Sequence, residues 1–250
     1  MGSAWAIGAL CHGTTSIPPV DIIAGPGNIW VTTAKRLVQG RVGIDMFAGP
    51  SEILIVADNS VNPAWVAADM LSQAEHDELA SAICITADSK LADAVLRELE
   101  TQCNSLPRAQ IARKSLGDWG ALVLVPDMEF ALSLSNRIAP EHLELLVQDP
   151  WTLLPQIRHA GAVFMGAHSA EAVGDYFAGP NHVLPTLGTA RFASALSVHT
   201  FRKRTSIIAA SSAFVREHAD SIARLARLEG LEAHARSAEA RRGKQGTALT

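Results

Sequence analysis

The stretch EILIVADNSVNPAWVAADMLSQAEHDELASAICIT, residues 52–86, decides the fold. Its apolar run from Ile53 to Ala57 is too short for a helix and ends in Asp58-Asn59-Ser60, so it reads as a buried strand. Asn62-Pro63 then offers a helix cap with proline at the first helical position, ahead of Trp65, Val66, Met70 and Leu71. Ala82 to Thr86 is a second aliphatic run. A helix crossing between two such runs makes them parallel neighbours in a βαβ unit.

The alternation continues downstream. Ala121 to Val125, Leu143 to Val147 and Ala162 to Met165 read as further strands. Asp88 or Ser89 caps a helix carrying Leu91, Val95, Leu96 and Leu99 on one stripe. Asp127 opens another, which Pro140 stops. Upstream, Val20 to Ala24 reads as a strand, Gly25-Pro26-Gly27-Asn28 as a tight turn, and the following segment as a helix to about Gln39. After Pro185 the texture changes: Ala213 to Arg227 and Leu231 to Arg242 are helical and charged, and Gly243 to Thr250 reads as a disordered tail. The expected fold is α/β: a Rossmann-like parallel sheet, incomplete, with flanking helices and a C-terminal helical extension. The chain divides at residues 50 and 190 into an N-terminal remnant, a main α/β domain at 51–190 and the extension at 191–250.

Composition narrows the function. Apolar residues make up 48% of the 250 and aromatics 5%, so the core is mostly Ala, Leu, Val and Ile. A formal net charge of −4 excludes an extended phosphate-tracking surface, so no nucleic-acid partner is expected. The basic run Arg202-Lys203-Arg204 reads as a solvated face. Cys11, Cys84 and Cys103 are too few and too scattered for a disulfide framework, and Cys84 reads as a small core residue in a reducing compartment. No apolar stretch approaches the ~18 residues of a membrane span. Met1 to Leu10 lacks the basic flank of a secretory signal, and Ala6 breaks the myristoylation pattern. A cytoplasmic location is expected.

The reactive side chains cluster by position. Ser51 precedes the first main strand; Gln73 and His76 close the helix after it; Glu141 and His142 precede the fourth strand; Asp175 follows the fifth after a helical return. With all strands parallel, every one of these groups collects at the amino edge of the sheet, whereas ligands in such sheets usually bind at the carboxyl edge. Gln73 and His76, three apart, share a helix face and offer two metal ligands, although a histidine there also caps a helix C-terminus. Glu141 beside His142 supplies two proton-transfer groups of different basicity, provided that a turn after Pro140 aims both at one cleft; otherwise they are a loop acid and a hydrogen-bonded histidine. Asp175 is a hard ligand or a turn cap, and His182, in the rigid Gly179–Thr186 loop, a residue that fixes the loop. Glu229 and His234, five apart, read in isolation as surface residues.

Together these runs resemble one family. Gly25-Pro26-Gly27-Asn28, Gly43 to Asp45, Ala48 to Glu52, Ser72 to His76, Ala139 to Leu145, Gly174 to Thr186, and Glu229-Gly230-Leu231 with His234 resemble histidinol dehydrogenases in identity and order. The resemblance implies zinc ligands at Gln73, His76, Asp175 and, from the other subunit of a homodimer, His234. It implies substrate contacts at Ser51, Gln73, His76, His142, Asp175, Glu229 and His234, an acid–base pair of Glu141 and His142, and an NAD contact at Asn28. The activity implied is oxidation of histidinol through the aldehyde to histidine with two NAD. By the same resemblance, residues 1–50 are the remnant of an NAD-binding domain whose N-terminal part lies outside this chain. Trp5 stands where family members carry a glutamine that binds NAD, and an indole cannot reproduce an amide's two-way hydrogen bonding. Three alternatives stand beside this one: a paralogue oxidising another polar alcohol such as a sulfonated diol, a non-catalytic zinc-binding protein, and a hydrolase using zinc-bound water.

Overall fold

A computed structural model describes residues 2–242, so the tail from Gly243 to Thr250 lies outside the described residues. The chain opens with α1 (Ser3–His12), β1 (Ile22–Ile23), α2 (Ile29–Val38) and β2 (Gly43–Ile44), with β1 parallel to β2. The strand expected over Val20 to Ala24 shortens to Ile22–Ile23 because its partner offers only two residues, Gly43 and Ile44, which the sequence pattern does not mark as a strand. Ile7, Cys11, Ile23 and Val42 form a small core here. The Gly25 turn is fixed by a buried ion pair. Lys35 Nζ, on α2, lies 2.7 Å from Asp45 Oδ1 and also donates to the Gly25 carbonyl, while Asp45 Oδ2 accepts from the Gly25 N–H at 2.8 Å. Removing one partner would strand a buried charge, at a cost of about 3–5 kcal/mol.

The main layer follows: β3 (Glu52–Ala57), α3 (Pro63–Ala74), β4 (Ser81–Thr86), α4 (Ser89–Cys103), α5 (Ala109–Trp119), β5 (Ala121–Leu124), α6 (Met128–Ile138), β6 (His142–Leu146), α7 (Pro150–Leu153), β7 (Ala162–Met165) and α8 (Glu171–Tyr176). The order across the sheet is β5-β4-β3-β6-β7, parallel throughout. All five expected strands are present. The caps behave as their residue types require: Asn62, Asp88 and Asp127 each accept a backbone N–H from the first turn of α3, α4 and α6.

Side chains along β3 alternate between two cores. Ile53, Ile55 and Ala57 pack with Val66 and Met70 of α3 and with Leu91 and Val95 of α4. Leu54 and Val56 face the other way, against Ala131 and Leu132 of α6. Both faces of the sheet are covered, which explains why its strands are continuously apolar. Each fully buried Ile, Leu or Met contributes about 1.5–3 kcal/mol.

The structure divides into two compact units, Met1–Arg202 and the segment from Lys203 onward. Residues 1–50 and 191–202 fall in the first, so this division lies later than the one read at 190. The second unit is an α-hairpin of α9 (Ser212–Leu228) and α10 (Glu232–Ala240), tied by Arg227 to Glu232 at 2.9 Å and to Glu239 at 2.8 Å. Among the described residues, no helix is long and apolar enough to cross a membrane.

Candidate active site

The chain is turned into the site by backbone geometry. At the end of α6, Ala139 adopts the left-handed conformation (φ 55°, ψ 61°), and Pro140 prevents another helical turn. A bend at Glu141 leads directly into β6. The turn that the sequence required after Pro140 is therefore present, with the left-handed residue one position ahead of that proline. Gly161 sits against this bend: a Cβ there would lie 2.6 Å from the Glu141 carbonyl oxygen. As a result the neighbouring side chains of Glu141 and His142 are both buried, at 7% and 4% exposure.

Register places them at the amino edge. His142 lies opposite Ile53 of β3 and Ala162 of β7. Its Nδ1 is 2.9 Å from the Glu52 carbonyl. A carbonyl only accepts, so Nδ1 carries the proton and Nε2 keeps its lone pair. That Nε2 is buried and has no partner. Burial lowers the His142 pKa, so the ring is neutral and its Nε2 lone pair is free.

Carboxylates crowd the same edge. Glu141 Oε2 accepts from the Glu52 N–H at 2.9 Å, and Glu52 Oε1 from the Leu187 N–H at 2.8 Å. Burial, with repulsion from Glu52, Glu171 and Asp175, pushes Glu141 up to about 9. Glu171 is pushed up to about 8 by burial and by Asp175 and Asp69. Such a site gains from a cation.

The proposed ligands converge. His76 follows α3 and is exposed; its possible ligand atom and those of Glu171 and Asp175 all lie within 4.8 Å of one another. Gln73, fully buried on α3, turns its side-chain nitrogen to within 3.0 Å of both Glu171 oxygens once its amide is set to donate to that carboxylate. The Asp175 carboxylate, the His76 imidazole and an amide oxygen of Gln73 are a donor set that fits a divalent ion such as zinc, with the Glu171 carboxylate beside it. A cavity of about 300 Å³ beside them is lined by His142, Phe164, Val173, Asp175, Asn181 and His182.

The other sequence candidates sit as follows. Ser51 is half-buried at the amino end of β3. Asn28 caps α2, its Oδ1 accepting from the Val31 N–H at 3.2 Å, with the residue otherwise exposed. Trp5 is 79% exposed on α1. Glu229 ends α9 and His234 is exposed on α10, both in the second unit. Sequence reasoning missed Glu171, although its spacing of four from Asp175 puts both on one face of α8.

A neutral imidazole with an unpartnered lone pair thus lines a cavity beside a ring of acids, an arrangement able to take a proton from a bound molecule. Such an arrangement on an α/β sheet suits acid–base chemistry. The chain belongs to the histidinol dehydrogenase family, whose model matches residues 1–242. It is 68% identical over 244 residues to the histidinol dehydrogenase of Nitratidesulfovibrio vulgaris, covering 98% of this chain and 56% of that protein. To the histidinol dehydrogenase of Desulfotalea psychrophila it is 59% identical, over 96% of this chain and 55% of that protein. The crystal structure of histidinol dehydrogenase from Elizabethkingia anophelis superposes with a TM-score of 0.90 at 40% identity, covering 96% of this chain and 55% of that one. The chain therefore spans just over half the length of the curated relatives it matches.

Proposed function

We propose that this chain carries the metal, substrate and acid–base groups of a cytoplasmic, NAD-dependent histidinol dehydrogenase, which oxidises L-histidinol through L-histidinaldehyde to L-histidine. The observation that carries the reading is the unpartnered Nε2 of His142, fixed as a proton acceptor by the Glu52 carbonyl.

Gln73, His76 and Asp175, with His234 of a second copy, would hold zinc; Ser51 and Glu229 would contact substrate, and Asn28 the nicotinamide cofactor. When bound, zinc anchors the substrate, and NAD accepts the hydride in each oxidation. His142 takes the hydroxyl proton at Nε2 as the alcohol becomes an aldehyde. Glu141, once it has lost its proton, removes one from the water that adds to the aldehyde; His142, after releasing its first proton to solvent, takes the hydroxyl proton of the resulting hydrate as the acid forms. Burial holds the Glu141 proton in place, and repulsion from its acidic neighbours adds to it; a cation among Asp175 and those neighbours would offset the repulsive part. The homodimer is supported by Ile207 and Ile208, at 92% and 91% exposure, since large apolar side chains seek cover.

Histidinol-dependent NADH absorbance with zinc present tests the reading, and it should vanish in His142→Ala. Metal binding without any NADH formation would instead favour a non-catalytic binder.

A further inference from the structure

We propose that Glu171 is a positioning residue of the metal site: its carboxylate holds the side-chain nitrogen of Gln73 and so fixes which end of that amide meets the ion. The inference rests on the reading that Gln73, His76 and Asp175 bind a divalent cation.

An amide is an ambiguous ligand. Its oxygen coordinates a cation, whereas its NH₂ carries partial positive charge and is repelled, and the two ends have nearly the same shape. Gln73 is fully buried, so water cannot decide between them. Glu171 can. In its ionised form, which a cation beside it favours, its carboxylate only accepts, and both of its oxygens lie 3.0 Å from one nitrogen of Gln73 in the donating orientation. The oxygen of Gln73 is then the only end left free for an ion.

Glu171 is itself held. It is 3% exposed, and its backbone N–H donates at 2.8 Å to Oε1 of Glu144, a carboxylate buried within β6. Two other duties fit less well. Its oxygen is 3.6 Å from His142 Nδ1, beyond hydrogen-bond range, and that N–H already serves the Glu52 carbonyl. Direct ligation is open to it by distance, since its oxygen belongs to the group within 4.8 Å. Yet with both oxygens equally near one nitrogen, the carboxylate faces the amide. This is the outer-shell support that ligands in metal sites commonly receive.

The test uses the full chain, zinc or cobalt(II), and competition with a chromophoric chelator. Glu171→Leu should weaken the metal about 10–100-fold. Glu171→Gln, whose carbonyl can still accept from Gln73, should bind close to the parent and keep the parent's cobalt(II) absorption bands. Equal weakening in both variants, with altered bands in Glu171→Gln, would make Glu171 a ligand and overturn the proposal; so would Glu171→Leu binding as tightly as the parent. Should the variants not fold, nitrogen-edited spectra of the zinc-loaded parent decide. The Gln73 side-chain NH₂, identified by its loss in Gln73→Glu, should be shielded from solvent exchange, and fast exchange refutes the hydrogen bond. A parent chain that binds no metal at all sinks the metal reading, and this inference with it.

Discussion

The two edges of the main sheet are made from the same strands, yet they spend their polar groups differently. At the carboxyl edge a cavity of about 470 Å³ is lined by Asp58, Asn59, Asp88, Ser89 and Lys90. It is larger than the cavity of about 300 Å³ beside His142. Its acids are already engaged: Asp58 accepts from the N–H groups of Ser60 and Gln148, and Asp88 from those of Lys90 and Leu91. At the amino edge the buried Nε2 of His142 has no partner, and the buried Glu141 and Glu171 are both raised in pKa. Volume does not make a site. On the proposed reading, unspent, desolvated polarity does, and it outweighs the usual preference of such sheets for the carboxyl edge.

The contrast breaks most directly at His142. Truncation to alanine should lower turnover about 10²–10⁴-fold, the range for a positioned base. Because Nε2 is not among the proposed ligands, zinc stoichiometry should stay at the parent value. Loss of the metal along with the activity would mean that base and ion site are one.

A second expected effect lies behind the same edge. Asp69 of α3 faces Glu144 of β6, and burial raises both, Asp69 to about 6 and Glu144 well above the ordinary range. Glu144 Oε2 has no hydrogen-bond partner unless a proton lies between the two acids. Folded values above the unfolded ones mean that the native state holds extra protons. This stability is complete below about pH 4, where both states are protonated, and drains away as pH rises through 6 and beyond. The thermal midpoint of the chain should therefore fall from pH 5 to pH 8, by roughly 2–4 °C per kcal/mol lost. Glu144→Gln supplies amide hydrogens in place of the shared proton and should flatten the profile. An unchanged slope in that variant would assign the pH dependence to other groups.

How much of this was legible in the sequence follows from the range of each interaction. The strands and the caps Asn62, Asp88 and Asp127 depend on neighbours a few residues away, and they lie where local pattern put them. The edge at which Gln73, His76, His142 and Asp175 gather followed from strand direction alone. The burial of Glu144 was not legible, because an acid within His142-Leu-Glu-Leu-Leu carries no local sign of it; β6 is an interior strand and Glu144 is fully buried. The state of His142 was beyond reach, since its proton is placed by a carbonyl 90 residues upstream. Glu171 looked like an ordinary first-turn acid, favourable at any helix start, and only the approach of Gln73 from α3 gives it a partner.

The smallest expected effect sharpens the comparison from the other side. Asp88 lines the larger cavity, so a ligand site at the carboxyl edge would depend on it. Its Oδ1, however, accepts from the N–H groups of Lys90 at 2.8 Å and Leu91 at 3.0 Å, which is the work of a helix cap. Asp88→Ala should cost about 1 kcal/mol of stability, as lost caps do. For a chain of this size that is a midpoint lower by roughly 2–4 °C. Zinc affinity and histidinol-dependent NADH formation should not move when measured well below the melting range. If Asp88→Ala instead reduced turnover while the midpoint held, the carboxyl edge would be a working surface and unspent polarity the wrong criterion for telling the two edges apart.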